Sequence, residues 1–242
     1  VTTPKEQTRS INGSRHYVVD GAHIPSVNTV DGLRNKPGLN GWLINQHIEA
    51  AYKNADHLRQ MDYDTAKRFV RSSIGGSSKA VERGNRVHEV AEAFFRGESS
   101  DHPEAQWVVP HLQELCMARD IQPIRAEQTM VWMENDVPVL AGTTDLLARV
   151  NGVPTIMDWK TGKAIYSDSA LTTGAYALMT HYLVDGETVP IPDDEKPIEA
   201  VVVHLTERYY EEHRVASIEA LRPVWLGLIH LWHWQNNEPA FA

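Results

Sequence analysis

Between Val139 and Lys160, β-branched and apolar residues fall into two runs, 139–150 and 153–160, parted only by Asn151-Gly152. Asn-Gly between such runs is the strongest short-range hairpin signal, because both residues tolerate the left-handed backbone of a two-residue turn. With that turn, Val150 faces Val153, and each step outward pairs the next two residues. Asp145 is then expected directly across from Asp158, with Thr143 across from Lys160 on the same face, since side chains alternate with a period of two.

Other periodicities supply the surrounding elements. Residues 1–14 are polar and turn-rich and are expected to be loosely ordered. His16–Val19 followed by Asp20-Gly21 predicts a small hairpin. From 26 to 120 the pattern is mostly helical, with Asp62 as a helix N-cap and Gly75–Ser78 as a break. Ala80, Val81, Gly84, Val87, Ala91, Phe94 and Phe95 form the stripe of an amphipathic helix, and at 100° per residue His88 projects inward between Val81 and Phe95. Residues 122–160 predict three antiparallel strands. A helix is expected over 168–184, capped by Asp168 and Ser169 and carrying Leu171, Ala175, Leu178, Met179 and Tyr182 at helical spacing. A surface loop over 185–197, a buried strand Glu199–Leu205, a further strand at 212–216 and a last helix over 217–234 follow. Helices, a three-strand meander, a crossing helix and one more strand describe a mixed α/β sheet. We find no internal repeat or low-complexity tract.

Two like charges held about 5 Å apart across a ladder weaken a sheet, so a cation between Asp145 and Asp158 is expected. A carboxylate pair suits a hard divalent ion; Mg²⁺ binds through one or two carboxylates and keeps waters for a phosphate substrate. Lys160 beside them could orient an attacking water, assist its deprotonation or neutralise charge on a phosphoryl oxygen. Taken alone, the hairpin equally fits a surface ribbon with a solvated Asp-Lys pair, and an inward His88 fits a satisfied core histidine. The carboxy-terminal His230, Trp232, His233 and Trp234 invite a zinc or base-stacking role. Trp225, Leu228, Ile229 and Trp232 form a plain apolar stripe, which favours packing.

The 242 residues and an apolar fraction of 42% suit one substantial domain or a domain with a helical extension. No run approaches a membrane span and the start has no signal-peptide core, so a cytoplasmic location is the expectation. The single cysteine, Cys116, excludes a disulfide framework and a four-cysteine iron–sulfur cluster. A net charge of −9 argues against a protein that grips DNA mainly by electrostatics. Basic residues nevertheless gather at Lys67, Arg68, Arg71, Lys79, Arg83 and Arg86, and again at Lys160 and Lys163.

Gly142-Thr143-Thr144-Asp145 followed by Asp158-Trp159-Lys160-Thr161-Gly162 resembles the GTxD and DxKTG signatures of the PD-(D/E)XK nuclease superfamily, in its RecB-like and phage-type exonuclease branch. Arg83-Gly84-Asn85-Arg86-Val87-His88 is similar to the RGTxxH helix motif of that branch, and Ala170–Tyr176 to its ALQxxAY helix. Ile24–Val30 and Lys36–Leu39 resemble the PSVTTV and KPGL stretches of phage-type members. These motifs run in the family's order from about residue 24 to about 180.

The resemblance implies a restriction-endonuclease-like core over 122–242, with residues 1–121 forming an arm and helical region that contributes His88. It implies that His88, Asp145, Asp158 and the Trp159 carbonyl ligate Mg²⁺ or Mn²⁺, and that Asp145, Asp158 and Lys160 are catalytic. Arg83, Thr143, Thr161, Lys163, Thr172 and Tyr176 would contact the substrate. Thr172 stands where the family usually has Gln, so its reach towards DNA is shorter; Asn85 replaces the usual Thr. The branch often carries a glutamate on the preceding strand, here Glu127. A two-residue Asn135-Asp136 turn would set Glu127 opposite Thr144, facing away from the site, whereas a β-bulge or longer turn would restore it. The function implied is metal-dependent hydrolysis of linear duplex or single-stranded DNA in recombination, replication or repair. A recombination or single-strand-binding protein would be the partner, and a ring of subunits a candidate assembly. Two other readings stay open: a nucleic-acid-binding protein that keeps the fold without turnover, and a sequence-specific endonuclease.

Overall fold

The computed structural model describes residues 8–11, 13–73 and 76–237. Its contacts divide the chain into two units, one combining the residues up to Leu33 with those from Arg86 onward, the other spanning Arg34–Asn85. The division therefore falls at 34 and 86.

The first unit opens with a three-stranded antiparallel sheet, β1 (Thr8–Ile11), β2 (Ser14–Val19) and β3 (Ala22–Pro25). The expected hairpin is made by β2 and β3, with Asp20 and Gly21 left-handed at φ 48° and 79°. The described part of the amino-terminal stretch, expected to be loose, pairs with β2. Helix α1 (Val27–Asp31) follows; the Ser26 hydroxyl accepts from the Thr29 N–H at 3.0 Å, and Ser26 bridges Ala141 in the main sheet.

In the second unit lie α2 (Pro37–Lys53), α3 (Ala55–Leu58) and α4 (Tyr63–Ser72). Asp62 caps α4 by accepting from the Thr65 N–H at 3.0 Å, as expected from the sequence. None of the unit's described residues is buried. Of the expected break at Gly75–Ser78, Gly75 lies outside the described residues and Gly76 already belongs to α5 (Gly76–Arg96).

The first unit resumes within α5 and continues through α6 (Val108–Arg119) into a seven-stranded sheet flanked by helices, a mixed α/β architecture. Strands β4 (Ile121–Glu134), β5 (Val137–Val150) and β6 (Val153–Lys160) form the expected antiparallel meander. Helix α7 (Ser167–Ala177) then crosses the sheet, and further strands β7 (His181–Val184), β8 (Glu187–Pro190), β9 (Glu199–Leu205) and β10 (Tyr210–Arg214) precede α8 (Arg222–Asn237). Their order is β10-β9-β6-β5-β4-β7-β8, with β9 parallel to β6. Three expectations are corrected. The helix over 168–184 ends at Ala177, because the Thr180 N–H donates to the Val131 carbonyl and returns the chain to the sheet as β7. The loop over 185–197 contains β8, which follows the Asp185-Gly186 turn and pairs with β7. The strand at 212–216 starts two residues earlier, and a short 3₁₀ turn precedes the last helix.

Adjacent residues of β5 enter different cores, as alternation requires. Leu147 and its partner Ile156 join Val27, Met130, Leu140, Tyr176 and Trp225, whereas Leu146 and Met157 join Val87, Val90, Ala91, Leu112, Leu115 and Trp159. Leu140 and Leu147 share a core although they are seven residues apart. Strict alternation would put them on opposite faces, so the strand reverses its facing between them, in the stretch that holds Asp145. The stripe predicted for α5 is also corrected: Val87 and Ala91 are buried, but Val81 is 60% exposed, and Val90 and Ala93 complete the buried face. Trp225 and Ile229 are buried as the packing reading of α8 expected. Among the described residues no helix is long and apolar enough to cross a membrane.

Candidate metal centre

Asn151 and Gly152 are left-handed, at φ 50° and 83°, and the ladder they set runs from Val150–Val153 to Leu146–Met157 as derived from the turn. It stops one pair short of the carboxylates. Asp145 and Asp158 are not ladder partners; instead Asp145 Oδ2 accepts the Trp159 N–H at 2.7 Å. A side chain thus takes the donor that a neighbouring strand would have used, and the two strands part at the site. Thr143 is not across from Lys160 either: it pairs with Thr129 of β4, and its hydroxyl meets those of Tyr17 at 3.0 Å and Thr129 at 3.1 Å.

Glu127 reaches the site through a bulge. Asn135-Asp136 is a two-residue turn, but Val139 is extra on β5, between the pairs Met133–Pro138 and Trp132–Leu140. That shift leaves Glu127 between the pairs Ala126–Leu146 and Gln128–Thr144, level with Asp145 and not with Thr144. Glu127 itself is left-handed at φ 50°, a conformation uncommon for a side chain of its length and one that marks local strain.

One ligand atom each from His88, Glu127 and Asp145 lies within 4.8 Å of the other two. His88 Nδ1 is 3.1 Å from Asp145 Oδ1. The oxygens of Asp158 do not join that set of three; Asp158 Oδ2 pairs with the Lys160 ammonium. A nitrogen and two carboxylates converging on one point form a suitable donor set for a divalent ion. Imidazole is more usual for Mn²⁺ than for Mg²⁺.

Without an ion, protons and internal cations balance the acids. Burial raises the Glu127 carboxyl to about 8, helped by the charges of Asp145 and Glu92. Burial opposes protonation of His88, yet Asp145 and then Asp158 raise it to about 9. Burial would raise Asp145, but the charge and hydrogen bond of His88, then Lys160 and the Trp159 N–H, hold it below the ordinary carboxylate range. Asp158 is pushed up by burial, against the pull of Lys160. Burial likewise works against charge on Lys160, but Asp158 and Asp145 keep its ammonium above the usual lysine range.

The remaining expected site residues divide. Tyr176 of α7 is buried, and burial, followed by the charges of Tyr17, Asp158, Asp145 and Glu127, raises its phenol well above the ordinary range. Its ring lies so close to β5 that a Cβ on Gly142 would stand 2.7 Å from Tyr176 Cε1. Thr172 turns its hydroxyl back to the carbonyls of Asp168 and Ser169, at 3.2 and 3.1 Å. Trp159 buries its indole and stacks it on Phe95, with ring centroids 5.6 Å apart. Thr161 and exposed Lys163 lie in the segment after β6, and Arg83 is exposed on the part of α5 assigned to the second unit.

Two residues near the site were missed. Tyr17 comes from the amino-terminal sheet, and no local signal ties it to Thr143. Buried His204 stands beside Lys160 in the ladder and donates from Nε2 to the Gly162 carbonyl at 2.7 Å, fixing the turn that follows the lysine. One histidine inside an otherwise apolar strand was the available clue. No family model matches the chain, and neither does any curated protein.

Proposed function

We propose that this chain is a metal-dependent DNA nuclease, a phosphodiester hydrolase of exonuclease type with a restriction-endonuclease-like core. The convergence of His88, Glu127 and Asp145 beside the Asp158–Lys160 pair carries the reading. The motif order along the sequence and the parallel placing of β9 against β6 after the crossing helix support it. Mg²⁺ or Mn²⁺ would be held by His88, Glu127 and Asp145 with Asp158 alongside, and would polarise the phosphate and acidify a bound water. Lys160, kept charged by Asp158, neutralises charge growing on a phosphoryl oxygen and orients the attacking water. His204 keeps the turn after Lys160 in place. Tyr176, held protonated by burial, offers a hydrogen-bond donor near the carboxylates.

The test is digestion of end-labelled linear duplex and single-stranded DNA with and without Mg²⁺ or Mn²⁺. Wild type should release nucleotides only with the ion, and Asp145→Ala and Lys160→Ala should each lose about 10²-fold or more. Absence of metal-dependent digestion, or undiminished digestion by Asp158→Ala, removes the reading. Mn²⁺ binding abolished by Asp145→Ala but without digestion would instead favour a nucleic-acid-binding protein that keeps the fold.

A further inference from the structure

The second unit differs from the rest of the chain in charge as well as in packing. Residues 34–85 carry nine lysines and arginines against five acids, a net +4, which leaves −13 of the total −9 to the remainder. Not one described residue in it is buried, and Tyr52 and Tyr63 are 84% and 78% exposed. Some of the basic side chains are taken: Lys53 pairs with Glu49 at 2.5 Å, and Arg59 with Asp56 at 2.9 Å. Helix α4 holds others that are not. Tyr63, Lys67 and Arg71 recur every fourth residue along it, all exposed, and neither cation is paired with an acid among the described residues. A helix rises 1.5 Å per residue, so the three stand in a row about 6 Å apart.

We infer that this row on α4 is a binding site for single-stranded nucleic acid, with Tyr63 stacking on an unpaired base and Lys67 and Arg71 contacting successive phosphates. Charge complementarity selects a polyanion: the row belongs to a basic stretch of an acidic chain. A second copy docking through the same unit would bring two net positive surfaces together. The exposed ring selects an unpaired strand, because a duplex hides the faces of its bases in the stack while a single strand offers them. The site deepens the hydrolytic reading by giving that activity a strand preference, but binding here needs neither the metal centre nor turnover.

The test measures anisotropy of a labelled oligothymidylate with the full chain in EDTA, where hydrolysis cannot intervene. Wild type should bind the oligothymidylate more tightly than a duplex of equal length. Lys67→Glu with Arg71→Glu should weaken binding at least about tenfold at low salt and flatten the slope of log K against log salt by about 1.4, near 0.7 for each lost phosphate contact. Tyr63→Ala should lose about fivefold or more, and Tyr63→Phe should bind like wild type. Sites so exposed should leave the circular dichroism unchanged. The inference is overturned by unaltered affinity and slope in the double variant, by equal affinity for duplex, or by sedimentation showing a dimer that the double variant breaks. A strand bound in this way but never digested with Mn²⁺ would count against the nuclease alone; digestion by a chain indifferent to these substitutions would count against the row alone.

Discussion

Glu127 and His88 each keep a proton that a divalent ion would have to displace. Metal-free at neutral pH, neutral Glu127, cationic His88 and Lys160, and anionic Asp145 and Asp158 sum to zero charge. With an ion bound, neutral His88, cationic Lys160, three carboxylates and the dication sum to zero again. Calorimetry of Mn²⁺ binding near neutral pH, in buffers of different ionisation enthalpy, should therefore register release of about two protons per ion. Folded-state values of about 8 for Glu127 and about 9 for His88 lie above the ordinary 4.5 and 6.5, so the folded chain binds more protons than the unfolded one between those limits. Stability of the metal-free protein should fall as pH rises from about 5 to about 9, and Mn²⁺ should raise the melting temperature more at the alkaline end. A flat thermal-melt profile over that interval would refute this. Gly142 answers to packing: a methyl group there meets Tyr176 Cε1 at 2.7 Å and Val27 Cγ2 at 3.0 Å. Gly142→Ala should destabilise by about 1–3 kcal/mol in urea titration and displace the Tyr176 ring. Asp145, Asp158, Lys160 and His88 were legible as candidates from spacing and resemblance. Tyr17 was not, because its contact with Thr143 joins positions far apart in the chain.

Hairpins were the most legible elements, since the turn chemistry is local. Asn151-Gly152 sets its ladder over five pairs; the error began where the Asp145 carboxylate replaced a strand as the acceptor for Trp159. The same signal was overlooked at Asp185-Gly186, whose φ of 51° and 90° close the β7–β8 hairpin. Helical spacing of Met179 and Tyr182 outweighed it, although a His-Tyr-Leu-Val run ahead of Asp-Gly already reads as a strand. For Glu127 the sequence could pose the alternatives but not choose, because the extra residue Val139 is fixed by how β4 and β5 pack and not by the turn. Elements also differ in how firmly burial holds them. Helices α2 and α4 bury no residue, whereas β5 and β6 run through the core. Amides of α2 and α4 should exchange with deuterium about two orders of magnitude faster than those of β5 and β6. Equal protection would mean that contacts other than burial hold the second unit together.

For the molecule as a whole, composition alone gave the sign of the net charge but not how that charge is distributed along the chain. The −9 total argued against an electrostatic grip on DNA, yet it averages a stretch of +4 with a remainder of −13. That division needed the contact pattern to find its limits, because the excess of Lys and Arg over 34–85 runs on into Arg86 and marks no boundary residue in the sequence. The mixed α/β class was legible from the order of helices and strands; the two-unit division was not. Salt screens charges separated by more than about 8 Å at physiological ionic strength, so a large charged partner meets the local charge of the stretch it touches and not the mean charge of the chain. An isoelectric point near 5.7 would send a uniformly charged protein straight through a cation exchanger at neutral pH. This one should lag on heparin resin at low salt and also be retained on quaternary amine beads, as a macromolecular zwitterion would be.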